Sequence, residues 1–126
     1  MPGYRYDGQK AVIFTWADGI EAWDELFAKY GKQYGQHLSN MIKRLERLGD
    51  FGQLPPDQLH HQQDGVYAVK SRSKFRVYGW FESLNGKKCF VIGQAAFKKE
   101  DKADPTKIKR CIQLMNDYKR QNGESK

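Results

Sequence analysis

The sequence predicts an α+β fold, in which a small, mainly antiparallel sheet of about four strands carries two helices from the amino-terminal half on one face. AVIFTW at 11–16 is β-branched and aromatic, which is typical of a buried strand. Apolar residues then recur every three or four positions between 18 and 48, which indicates amphipathic helices. Period-two alternation from 64 to 99 predicts three more strands, and Asp104-Pro105 marks the start of a final helix.

The first helical segment contains two glycines, Gly31 and Gly35, that weaken its middle. It is therefore either one bent helix or two helices that meet at a turn. Asp18 followed by Glu21 is typical of a capping box at its start. The second half is expected to be helical over about 36–48 and to end at Gly49. The proline-containing stretch 52–63 is expected to be a loop.

The chain of 126 residues is expected to form a single domain with one core. Residues 1–9 are polar and are expected to be a loose lead-in, and residues 122–126 to be a frayed tail. The sequence shows no internal repeat and no linker long enough to divide it.

The basic charge is concentrated in the second half of the chain. The formal net charge is +7; residues 1–65 hold seven Lys/Arg against nine Asp/Glu, and residues 66–126 hold fifteen against six. One interpretation is a solvated, lysine-rich surface. The other is a polyanion site, because clustered cations gain affinity by releasing counterions from phosphates.

Cysteine, histidine and apolar patterns narrow the class of protein. The two cysteines do not form a disulfide framework, and the histidines do not fall in the short paired spacing that structural zinc needs, so we expect no metal. The amino terminus lacks the layout of a signal peptide, and apolar runs are too short to span a bilayer. We therefore expect a cytoplasmic protein that does not bind membranes.

The alternation in 64–99 predicts that cationic and apolar side chains lie on opposite faces of the sheet. A three-residue loop at 72–74 pairs Lys70 with Arg76, because residues directly opposite each other share a face. A second three-residue loop at 84–86 pairs Arg76 with Gln94. We expect one open face, away from the helices, to carry the following residues: Lys70, Arg72, Arg76, Tyr78 and Lys98.

This basic face needs an explanation, because neighbouring cations repel each other unless an anion is present. Flexible side chains that simply extend into water are one explanation. A phosphate-bearing ligand is the other, since arginine offers a forked donor and lysine a point charge. Tyr78 and Trp80, expected on the same face, suit stacking of an unpaired base.

The segments DGVYAVK, FRVYGWF and AFKKEDKADP, with the helices before and after them, resemble the RelE/HigB superfamily of type II toxins, most closely its phage-derived HigB-like branch. The resemblance covers about 11–120. It implies a RelE-like fold: a small twisted sheet with two helices on one face, an open concave face opposite, and a carboxy-terminal helix. It also implies a bacterial or phage-encoded, metal-independent endoribonuclease that needs no small-molecule cofactor and cuts mRNA on the ribosome. A cognate, HigA-like antitoxin protein is expected to silence it.

The resemblance implies site residues at the positions that match the family's motifs. Arg76 matches the arginine of the family's second strand in this region, and Lys98-Lys99 match its lysine pair. Lys70 stands where the family usually has arginine, and Ala68 where it has glutamate. These two departures leave a second function open, a non-catalytic member of the same fold that acts by binding, such as a ParE-like gyrase inhibitor or an RNA- or protein-binding module. A structural role without toxicity is a third.

The proposed reaction is attack of a ribose 2′-hydroxyl on the adjacent phosphorus, which requires a base, charge stabilisation and an acid. Arg76 with Lys70 or Arg72 is expected to hold the phosphate. Lys98 is the candidate base, and His61 or Tyr78 the candidate acid. The predicted catalytic set is therefore Arg76, Lys98, Lys70, Arg72, His61 and Tyr78, and the predicted RNA-binding set is Lys74, Lys99, Lys102 and Trp80.

Overall fold

A computed structural model of the chain describes residues 2–71, 74–97 and 104–122. Within them, six strands form one mixed sheet in the order β1-β2-β6-β5-β4-β3. Only β2 and β6 pair in parallel among these neighbours. The elements are β1 (Arg5–Asp7), β2 (Ala11–Thr15), α1 (Asp18–Tyr30), α2 (Gly35–Phe51), β3 (Leu59–Gln63), β4 (Val66–Lys70), β5 (Phe75–Leu84), β6 (Lys87–Phe97) and α3 (Pro105–Asn122). The α+β class is confirmed, but the expected number of strands is too low.

The two additional strands are short, polar edge strands. β1 lies in the predicted lead-in and pairs with β2, and β3 lies in the predicted loop and pairs with β4. Neither has the apolar alternation that marks a half-buried strand, so hydrogen bonds to the neighbouring backbone define them instead. The Tyr6 hydroxyl also donates to the Asp50 carboxylate at 2.9 Å, which ties β1 to α2.

The amino-terminal helices are two separate helices, and both pack on one face of the sheet as predicted. Their buried stripes meet the sheet in a first core formed by Trp23, Leu26, Leu38, Met41, Leu45, Leu48, Val69, Phe75, Val77, Phe90 and Ile92 with Ala11, Ile13 and Ala95. The predicted cap of α1 is wrong, because Ala17 occupies the N-cap position. The Asp18 carboxylate instead accepts a hydrogen bond from Arg110 Nε of α3 at 2.7 Å. α2 runs three residues beyond its predicted end, to a left-handed Gly52.

α3 begins where the sequence predicts and covers the opposite face of the sheet. Asp104 Oδ1 accepts hydrogen bonds from the backbone amides of Thr106 and Lys107, at 3.1 and 3.3 Å. The helix and the sheet form a second core from Val66, Ala68, Tyr78, Trp80, Val91, Ile108, Cys111, Leu114, Met115 and Tyr118. The domain thus has three layers, and the prediction of an open face is wrong over most of that face.

The register of β5 and β6 also differs from the prediction, for two reasons. Asn85 and Gly86 form a two-residue turn with φ values of 54° and 79°, which is the geometry of a type I′ hairpin. Gly93 is then left unpaired between the Tyr78–Gln94 and Gly79–Ile92 pairs, as in a β-bulge. A Cβ atom on Gly93 would lie 2.9 Å from the Trp80 ring, so glycine permits this close contact.

Candidate nucleic-acid interface

Lys70 and Arg76 form the part of the predicted basic cluster that the structure brings together. They are directly opposite each other on β4 and β5, as the loop length predicted, and both side chains are half-buried. Arg76 pairs on its other side with Ala96 of β6, not with Gln94. The Arg76 guanidinium donates to the carbonyl of Phe75 at 2.9 Å. We call these two residues the Lys70–Arg76 pair.

The pair lies beside the amino terminus of α3. The next row on the same face of the sheet is Tyr78–Gln94, where the Tyr78 hydroxyl accepts a hydrogen bond from the Asp104 amide at 3.4 Å. Lys107 Nζ, one turn into the helix, donates to Gln94 Oε1 at 3.2 Å. The helix therefore covers the sheet up to this row, and the Lys70–Arg76 pair lies beyond it, at the end of β4.

Tyr78 and Trp80 do not lie on an open surface. Tyr78 is 1% exposed and Trp80 is 0% exposed, because α3 packs over both rings. Burial raises the pKa of Tyr78, so its hydroxyl holds its proton more firmly than a tyrosine in water. Trp80 has no face available for a base, and a buried Tyr78 that accepts from Asp104 fits a positioning role better than that of a general acid.

His61 lies on the opposite face of the sheet from the Lys70–Arg76 pair. It is exposed on β3 and pairs with Tyr67, whose ring packs against the first core. Its Nε2 accepts a hydrogen bond from the amide of Gly65 at 3.2 Å. The described structure therefore does not bring His61 together with Arg76, because the strand register places them on different faces.

Four of the ten predicted site residues lie outside the described residues: Arg72, Lys98, Lys99 and Lys102. Lys74 is described and exposed, directly before β5 and two residues from Arg76. Among the described cations of the predicted site, Lys70 and Arg76 thus lie together, and Lys74 is near them in the sequence.

A second basic surface lies along α2. It is a groove of about 370 Å³ between α2 and the ends of β3 and β4. We call it the α2 groove. Among the described residues, those that line it are all polar and none is acidic: His37, Asn40, Lys43, Arg44, Arg47, Gln58 and Ser71.

Arg44 joins the α2 groove to the end of β4. Its guanidinium donates to the carbonyl of Lys70, while its side chain lines the groove. Gln58 lies on the other wall, and its carbonyl accepts the Lys70 amide at 2.8 Å. The sequence signal for this groove is the group of cations at positions 43, 44 and 47. The same spacing also occurs on an ordinary solvent-exposed helix face, so it does not by itself indicate a groove.

The described residues contain neither a cluster of three or more metal-ligating side chains nor a helix long and apolar enough to cross a membrane. Both cysteines are buried and free. The fold and the site together define a three-layer α+β domain with basic surfaces on both sides of the end of β4. Comparisons with protein-family models, with curated proteins and with solved structures found no match for this chain.

Proposed function

We propose that the protein is a toxin of a type II toxin–antitoxin system that acts as a metal-independent endoribonuclease on mRNA, on the ribosome. The Lys70–Arg76 pair is the observation that carries this proposal. Two cations on directly opposite positions of adjacent strands suit a phosphate group, because arginine offers a forked donor and lysine a point charge. The segments that resemble RelE/HigB toxins contain both residues of this pair.

The proposed reaction is a transesterification within the RNA strand. The 2′-hydroxyl loses its proton to a base and its oxygen bonds to the adjacent phosphorus. The bond from phosphorus to the 5′-oxygen breaks, and that oxygen takes up a proton from an acid. The products are a 2′,3′-cyclic phosphate and a 5′-hydroxyl end. Arg76 and Lys70 stabilise the negative charge that builds up on the phosphoryl oxygens.

The candidate base, Lys98, lies outside the described residues. Tyr78 and His61 are weaker candidates for the acid than the sequence suggested, because Tyr78 is buried under α3 and His61 lies on the other face.

A second function is favoured by one specific observation, the burial of Ala68 against α3 at the position where the resembling family has glutamate. A carboxylate there would be buried in an apolar core, so this chain has replaced a family feature with a packing residue. A domain that binds RNA, gyrase or another protein without cutting RNA fits that replacement.

The test is to induce the protein in cells and to map new 5′ ends on translated mRNA. We expect cuts with the wild type, and a loss of about a hundredfold or more with Arg76→Ala, because one donor to developing charge contributes about 2.7–4 kcal/mol. Lys70→Ala should behave similarly, and Lys109→Ala, an exposed cation on α3, should cut as the wild type does. An unchanged cleavage rate in Arg76→Ala would refute the assignment. Growth arrest without any cuts would favour the binding function, and inhibition of gyrase supercoiling by purified protein would identify its ParE-like form.

A further inference from the structure

We infer that the α2 groove binds the phosphate backbone of the same RNA strand and is a second anchor, separate from the Lys70–Arg76 pair. The inference rests on the proposed function for the identity of the ligand as RNA. It assigns to α2 a binding role that was not predicted from the sequence.

The first step is the charge of the groove. Lys43, Arg44 and Arg47 line it, and none of its described lining residues is acidic. Asn40 adds a neutral hydrogen-bond donor. A groove of about 370 Å³ with this lining is large enough for a ligand and suits an anion, because cationic side chains and hydrogen-bond donors are what a phosphate group binds.

The second step is preorganisation. The Arg44 guanidinium is held by its hydrogen bond to the carbonyl of Lys70, and the helix fixes Lys43 and Arg47 one turn apart on the same face. These cations therefore lose less conformational freedom on binding than they would on a flexible loop. His37 lies near the amino-terminal end of the same stripe, ten residues before Arg47, which corresponds to about 15 Å of helix.

The third step distinguishes RNA from a protein partner. Protein interfaces depend on a few apolar or aromatic anchors that fill pockets. The described lining of the α2 groove is wholly polar and provides no pocket for such an anchor. Binding of a phosphate backbone requires only cations and hydrogen-bond donors, which is what the groove offers.

The fourth step is continuity with the proposed cleavage site. Ser71 lines the groove and directly follows Lys70 on the chain. The side chains of neighbouring strand residues point to opposite faces, so the groove and the Lys70–Arg76 pair lie on either side of the end of β4. A single strand that passes around this end contacts both surfaces.

The test measures RNA affinity and not cleavage. A fluorescein-labelled, unstructured oligoribonucleotide is titrated with wild-type protein and with the double variant Lys43→Ala/Arg47→Ala over a fourfold range of sodium chloride. Alanine keeps the helix, and both side chains are exposed, so the variant should fold. Arg44 is left in place because it also holds the Lys70 carbonyl. The control is Lys109→Ala/Arg120→Ala, which removes the same two charges from exposed positions on α3.

We expect the slope of log affinity against log salt to become shallower by about 1.4 in the groove variant, since each single-stranded phosphate contact contributes about 0.7. The ratio of wild-type affinity to groove-variant affinity should therefore fall about sevenfold when the salt concentration rises fourfold. The control should keep the wild-type slope.

An equal slope in the groove variant and the wild type would overturn the inference, as would an equal change in the control. Poly-glutamate is titrated in the same way as a model of an acidic protein. If the groove variant binds poly-glutamate more weakly than the wild type but binds RNA equally well, the inference is overturned in favour of an acidic protein partner. If the wild type binds RNA through the groove but never cuts mRNA, the proposed cleavage fails while the groove stands. If the groove variant binds and cuts as the wild type does, the groove fails while the proposed function stands.

Discussion

Replacement of Trp80 by phenylalanine tests directly whether α3 covers the face that the sequence predicted to be open. The Trp80 indole is 0% exposed and packs edge-on against Trp16 and Tyr118, with ring centroids 6.5 and 6.0 Å away. Its Nε1 donates to Glu82 Oε2 at 3.0 Å, and Lys119 Nζ of α3 donates to the same oxygen at 3.0 Å. The ring therefore connects β5, the residue that follows β2, and α3.

The expected cost of Trp80→Phe follows from these contacts. A hydrogen bond to a charged group is worth about 1.5–3 kcal/mol, and weakened aromatic pairs cost about 0.5–1.5 kcal/mol more. We expect the free energy of unfolding to fall by about 2–4 kcal/mol in urea denaturation followed by circular dichroism. RNA affinity below the denaturation range should be unchanged, because the ring has no surface for a base.

The exposed aromatic residue Phe51 provides the control. Its side chain is 68% exposed at the end of α2, so Phe51→Ala should change the free energy of unfolding by no more than about 0.5 kcal/mol. The reasoning is refuted if Trp80→Phe is as stable as the wild type and binds RNA more weakly. That result would mean that Trp80 is accessible and that α3 does not lie over it.

Two further predictions concern α3. Burial raises the pKa of the Cys111 thiol to about 12, whereas a value of about 9 is expected in the unfolded chain. The unfolded state therefore loses this proton first, and the free energy of unfolding falls as pH rises between these two values. Between pH 8 and pH 10, urea denaturation should show a fall in the free energy of unfolding that is about 1.4 kcal/mol larger in the wild type than in Cys111→Ala, and equal falls would contradict the burial of this thiol. Asp104→Ala should cost about 1 kcal/mol in the same assay, since it removes the acceptor for two helix amides, whereas Asp104→Asn should cost much less; equal costs would argue against a capping role.

The order of the main elements and the start of α3 could be predicted because they depend on local signals. The cap of α3 follows from the Asp104-Pro105 dipeptide, in which the side chain satisfies amides that the helix cannot. The opposition of Lys70 and Arg76 follows from alternation and loop length. The edge strands β1 and β3 could not be predicted, since their residues are polar and the partners that define them lie elsewhere in the chain.

The Lys70–Arg76 part of the candidate site was predictable, and the rest depended on tertiary packing. Alternation along β5 placed Tyr78 and Trp80 on the face opposite the first core, and this is correct. Whether that face meets water or a helix is not encoded in β5, because tyrosine and tryptophan are amphipathic and suit either environment. The stripe of α3 supplied the missing partner, and it buried both rings.

The sequence by itself determined the order of the three helices and the four main strands, where the basic residues are concentrated, and that Lys70 lies opposite Arg76. Local propensity and a period of two or 3.6 residues suffice for those features. Only the tertiary structure decided the three-layer arrangement, the bulge at Gly93 and the α2 groove. Each of these is a contact between segments distant in the chain, and a cation on α2 becomes part of a groove only when Gln58 and Ser71 pack against it.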